Sequence, residues 1–141
     1  MVSDHRTTGG GHATAGGVEY QARVTAWVAV GMLAGSGVSA WRLRSGTHIE
    51  YFRCETETPV DDLNVGLSDG GIAYIQAKRQ LAIEKSLASP FFSVIDQFVR
   101  QYRSKASTKE NGPTRSFDPS RDRLLLVVGR DTPASITKDA A

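Results

Sequence analysis

A chain of 141 residues with 40% hydrophobic and 23% charged side chains is long enough for one domain with a buried core, and its composition is ordinary for a globular protein. A net charge of +2 neither demands a nucleic-acid partner nor opposes one. The single cysteine, Cys54, excludes an internal disulfide, and no Cys/His cluster has zinc-site spacing, so a reducing interior is the simplest compartment.

Residues 1–16 are rich in Gly, Thr and His and read as a flexible tail, with His5 and His12 as tail residues rather than ligands. Tyr20, Val24, Trp27, Val28 and Met32 recur at helical spacing and predict a helix from Gly17 to Leu33 with that stripe buried. Glu19 and Arg23 stand four residues apart near its start, and Gly35 and Gly37 close it. The uncharged run from Val24 to Ala40 is broken by Gly and Ser and is shorter than a bilayer span. The N-terminus has no basic stretch leading into an apolar core, so no signal peptide is expected. A cytoplasmic protein without membrane association is the expectation.

Thr47 to Glu57 alternates and is rich in aromatic and branched residues, predicting a first strand in which Cys54 is a small, partly buried hydrophobe. Leu63–Leu67 and Ile72–Lys78 are the next two, joined by Ser68-Asp69-Gly70-Gly71, whose Asp-Gly step favours a hairpin. Gln80 to Ala88 reads as an irregular link. Ser89-Pro90 supplies an N-cap and a first helical residue, and Phe91, Ile95, Phe98, Val99 and Tyr102 are the expected buried face. Gln97, Arg100, Gln101 and Arg103 occupy the other face. Lys105 to Ser120 reads as a polar loop. Arg123 to Gly129 is a continuous apolar run, suited to a strand covered on both faces in a parallel or mixed sheet. Asp131-Thr132-Pro133 ends it. The abrupt stop at Ala141 suggests that residues 17–141 form one domain of a longer protein.

The central hairpin carries the chemistry. Folding it brings Asp61 and Asp62, at the start of one strand, beside Gln76 and Lys78, at the end of the other. Carboxylate oxygens, an amide oxygen and a nearby ammonium make a hard-cation site with a charge stabiliser, as metal-dependent phosphodiester hydrolysis requires. Which carboxylate faces Gln76 and Lys78 depends on the turn. A four-residue loop sets Asp61 opposite Lys78. Burying Leu63, Val65 and Leu67 with Ala73, Ile75 and Ala77 instead leaves Asp62 and Asn64 on the face of Gln76 and Lys78. A one-residue slip would send a whole apolar set to the wrong side, so the second arrangement, with a bulge or three-residue turn, is the expected one.

This helix-strand-strand-strand-helix-strand order, with D-D at the second strand and Q-x-K at the third, resembles the PD-(D/E)xK nuclease superfamily. The match is to its Q-x-K variants, the Mrr-like restriction enzymes and the double-strand DNA endonuclease domains of antiphage CBASS effectors. The phrases G-G-V-E-Y-Q, E-T-P-V-D-D-L, Y-I-Q-A-K-R and S-P-F-F-S-V-I-D-Q-F are similar to that effector domain in particular, and the resemblance spans roughly Gly16 to Gly129. It implies a restriction-endonuclease-like α/β fold with a mixed central sheet flanked by helices, and cleavage of double-stranded DNA that depends on Mg²⁺ or Mn²⁺. Asp62 would bind the metal through its carboxylate, with Asp61 beside it and Gln76 lending an amide oxygen. Lys78 would orient the attacking water and offset charge on the phosphorane. Glu19 is the candidate third acid; a surface pair with Arg23 is its other reading, and Glu55 or Glu57 could serve instead. Arg79, Arg100 and Arg103 could touch phosphates. Gln76 departs from the acid usual at its position. The resemblance also implies a nucleotide-sensing domain beyond Ala141, and it leaves homo-oligomerisation open. Two other readings keep the fold without the reaction: a DNA-binding or assembly module with a degenerate site, and a plain structural fragment.

Overall fold

Apolar side chains at every second position of the central hairpin give it two distinct faces, and the rest of the chain covers them. The computed structural model describes residues 10–35, 39–84, 86–107, 113–130 and 132. Its elements are α1 (Gly10–Leu33), a short 3-10 turn (Ser39–Trp41), β1 (Ile49–Cys54), β2 (Leu63–Leu67), β3 (Ile72–Lys78), α2 (Pro90–Arg103), β4 (Lys105–Ser107), β5 (Thr114–Ser116) and β6 (Arg123–Val128). A four-stranded sheet runs in the order β1-β2-β3-β6, and β4 and β5 form a separate ribbon. β1, β2 and β3 are antiparallel, whereas β6 lies parallel to β3. The chain is thus α/β, and its described residues form a mixed sheet and two α-helices. Among the described residues no helix is long and apolar enough to cross a membrane.

Leu63, Val65, Leu67, Ala73 and Ile75 bury one face of the sheet against Val24 and Val28 of α1, with Trp41 and Ile49 closing the cluster. Ile72 and Tyr74 point the other way and pack with Val60, Phe98 of α2, Phe117 and Leu124. The turn resolves as the face pattern requires. Leu63 pairs with Ile75 and Gly66 with Ile72, and Leu67 N–H donates to Gly71 O at 3.0 Å, so the loop is the three residues Ser68 to Gly70. Gly70 takes the left-handed φ of +77° that ends this loop type, and Asp69 Oδ1 accepts from Gly71 N–H at 2.9 Å.

Several sequence expectations need correction. α1 starts at Gly10, inside the stretch read as a tail; extending a helix already nucleated costs far less than starting one, and Ala15 favours it. Residues 1–9, and His5 with them, lie outside the described residues. Trp27 is 48% exposed and meets Trp41 edge-on at 6.0 Å instead of joining the core stripe. β1 is shorter than expected: the chain turns at Glu55, which has φ +48°, and this leaves Cys54 exposed. The buried face of α2 is rotated. Val94 and Gln101 are buried and Phe98 is half-buried, while Ile95, Val99 and Tyr102 are exposed. Gln101 goes inward because its Oε1 accepts from Val60 N–H at 3.2 Å, an otherwise orphaned buried donor. The N-cap is as expected, with Ser89 accepting from Phe92 N–H. The loop from Lys105 to Ser120 contains the β4–β5 ribbon, and β6, at the sheet edge, is half-buried along its length instead of fully covered.

Candidate active site

The pairing that builds the hairpin also builds the site. With Leu63 opposite Ile75, the next step outward sets Asp62 opposite Gln76, at the end of the sheet where β3 and β6 both finish. Asp62 Oδ2 accepts from Gln76 Nε2 at 2.6 Å and from Ala77 N–H at 2.7 Å, leaving Oδ1 outside both contacts. The carboxylate occupies the place of a backbone acceptor where β2 has ended. Gln76 is 1% exposed, and its Oε1 is buried without a hydrogen-bond partner. A carboxylate imposes this orientation on an amide, and rotation about the terminal torsion would exchange N and O.

β1 extends the row. Cys54 pairs with Leu63, and one step further Glu55 N–H donates to Asp62 O at 3.3 Å, while Thr56 N–H donates to Asp61 O at 2.9 Å. Glu55, Thr56, Asp61 and Asp62 therefore border one cavity of about 310 Å³, together with Gln21 of α1. Gln21 Nε2 donates to the backbone oxygen of Asp62 at 3.2 Å. Sequence reasoning misses Gln21, yet a polar residue three before Val24 and seven before Val28, on the buried stripe of α1, is the signal that finds it.

Burial holds the Asp62 carboxyl above the usual carboxylate range, and the charges of Asp61 and Glu55 push the same way. The Ala77 N–H and the Lys78 ammonium oppose them. Lys78 is half-buried and Asp61 exposed. Among the described residues no three acidic, histidine or cysteine side chains converge closely enough to enclose an ion by themselves. A divalent cation here would use Asp62 Oδ1, the orphaned Gln76 oxygen, water and substrate oxygens. That donor set suits Mg²⁺, which keeps several waters and takes few protein ligands.

Neither Gln76 nor Lys78 lines this cavity, and the other predicted residues lie apart from it. Glu19 is exposed, pairs with Arg23, and borders a separate cleft with Arg79 and Arg130. Arg100 pairs with Asp96 at 2.8 Å, both more than half exposed, and Arg103 is exposed in the last turn of α2. Glu57 is exposed and, unlike Glu55, does not border the Asp62 cavity. No family model, curated protein or solved structure matches the chain.

Proposed function

We propose that the chain is the core of a metal-dependent endonuclease that hydrolyses phosphodiester bonds of double-stranded DNA, with a restriction-endonuclease-like fold of the Q-x-K kind and a role in antiphage defence. The observation that carries the reading is the Asp62–Gln76 contact beside Lys78: a half-buried, charge-loaded carboxylate bonded to an amide whose oxygen lacks a partner. A purely structural cap at Ala77 needs neither the crowding of Glu55 and Asp61 nor a buried orphan oxygen, which costs about 1–3 kcal/mol when left unpaired.

In this mechanism Asp62 and Gln76 would hold Mg²⁺ or Mn²⁺, and the ion would supply Lewis-acid polarisation of the phosphate and a more acidic water. Lys78, at the end of the same strand as Gln76, would orient the attacking water and offset negative charge developing on the phosphoryl oxygens. Asp61 adds negative potential at the cavity mouth. Glu55 takes the part the resemblance gives to Glu19, because it borders the Asp62 cavity and bears on the Asp62 charge. Glu55→Gln is expected to slow cleavage by about 10-fold or more, whereas Glu19→Gln leaves the rate within about 2-fold. Equal losses would return the role to the helix.

Cleavage of plasmid or linear duplex DNA by the purified chain is expected with Mg²⁺ or Mn²⁺, to vanish in excess chelator, and to be abolished in Lys78→Ala. Activity persisting in chelator, or wild-type cleavage by the Lys78 variant, overturns the mechanism. The non-catalytic alternative has one observation in its favour: both contacts to Asp62 Oδ2 are internal to the fold. Salt-sensitive DNA binding with no cleavage under any divalent metal would establish it.

A further inference from the structure

A second cavity, of about 400 Å³, lies between the first half of α1 and the ends of β3 and β6, bordered by Gly16, Glu19, Arg23, Arg79, Gly129 and Arg130. Three guanidinium groups and one carboxylate line it. The Glu19 carboxylate is taken by Arg23, and among the described residues neither Arg79 nor Arg130 pairs with an acid. Two glycines border the cleft, and the one at Gly129 is obligatory. A Cβ on Gly129 would fall 2.2 Å from Arg79 O, so only glycine lets the end of β6 close against β3, where Gly129 N–H donates to Lys78 O at 3.1 Å. A Cβ on Gly16 would fall 2.8 Å from Arg79 Nη1, so glycine there lets the guanidinium lie against the helix backbone.

Position gives the ligand class. Arg79 directly follows Lys78, the last residue of β3, and its guanidinium lies against Gly16 of α1. The Asp62–Lys78 site and the arginine cleft therefore lie at the same end of the sheet, where β3 and β6 finish. Planar guanidinium forks match phosphate oxygens, and two of them without an acidic partner in a concave site favour an anion over water.

We propose that this cleft binds a backbone phosphate of the same DNA that presents its scissile phosphate to Lys78, with Arg79 and Arg130 as the contacting groups. The proposal rests on the nuclease reading above. It makes the cleft a clamp that sets the path of the strand across that end of the sheet, and Glu19 a residue that occupies Arg23 and so keeps the cleft to two available cations.

The test is duplex DNA binding by the full chain in metal-free buffer, titrated against salt. Removing one phosphate-binding cation should lower the salt slope by about 0.9, so Arg79→Gln with Arg130→Gln should lower it by about 1.8 and weaken binding by about 10-fold or more at low salt. Gly16→Ala changes no charge. It should raise the melting midpoint, because alanine is the better helix residue, while weakening DNA binding by displacing the Arg79 guanidinium. Wild-type affinity and salt slope in the double variant overturn the proposal and leave the nuclease reading intact. Inorganic phosphate that binds the wild type but not the double variant, and leaves DNA affinity unchanged at constant ionic strength, would make the cleft a free-anion site and overturn the backbone assignment. A wild-type chain that neither binds nor cuts duplex DNA removes the nuclease reading, and the proposal with it.

Discussion

Asp62→Ala is expected to lower metal-dependent cleavage by at least about 10³-fold, while Asp61→Ala keeps a measurable part of it, because the Lewis-acid contribution at stake is several kcal/mol and each 1.36 kcal/mol is tenfold in rate. The two carboxylates are neighbours in sequence but not in role. The hairpin pairing sets Asp62 opposite Gln76, with its Oδ2 bonded to the Gln76 amide and to Ala77 N–H. Asp61 is exposed, and its backbone oxygen accepts from Thr56 N–H. Its charge raises the Asp62 carboxyl from a distance.

The alanine variant also strands two donors, the buried Gln76 amide and the half-buried Ala77 N–H, so its rate must be read on folded protein. Asp62→Asn separates the effects, since an amide oxygen can still accept from Ala77 N–H and Gln76. The direction of the Asp62 shift fixes the sign. A carboxyl whose folded pKa exceeds its unfolded one holds its proton more tightly when folded, so its contribution to stability is lost as pH rises through the folded pKa. At neutral pH the ionised group therefore destabilises the metal-free fold. Asp62→Asn should melt higher than wild type without metal, gain nothing from added Mg²⁺, and cut no DNA. A variant that melts lower, or one still cleaving at the wild-type rate, would show that this carboxylate is only a strand cap.

How much of this was legible follows from how local the forces are. Leu63–Leu67, Ile72–Lys78 and the choice of Asp62 over Asp61 were readable because burying alternate residues is a period-two constraint written into the strands themselves. The cap at Ser89-Pro90 was readable for the same reason, since the bond spans three residues. The buried face of α2 was not, because it is set by Gln101 reaching Val60, 41 residues away. Hydrophobicity alone placed Ile95 and Val99 inside, and a satisfied backbone donor outweighed them. Glu55 ranked behind Glu19 in sequence because the resemblance carried the helix position. The left-handed turn at Glu55, which delivers that residue to the cavity, leaves no mark in composition. The β4–β5 ribbon sits in a polar stretch with no apolar period, and what anchors it is again non-local: Arg115 binds Asp122 and the oxygen of Gly70.

Asp122→Ala should produce a large loss of stability, about 3–5 kcal/mol of a total that for such domains is about 5–15. The Asp122 side chain is fully buried. It accepts from both Arg115 terminal nitrogens at 2.6 Å, from Ile72 N–H at 2.9 Å and from Asp118 N–H at 2.7 Å. Removing it leaves a guanidinium uncompensated and two backbone donors unpaired. Adding Arg115→Met to Asp122→Ala should therefore cost little more, since the stranded charge disappears with it, and the two losses should be far from additive. Urea midpoints at unchanged slope measure this directly. Asp122 ties the start of β6 to the start of β3, roughly 20 Å from Lys78 along the strand at about 3.3 Å per residue. The folded fraction of Asp122→Ala should then cleave at the wild-type rate per molecule. A rate per folded molecule that falls with stability would instead mean that this carboxylate also fixes the parallel pairing on which Lys78 depends.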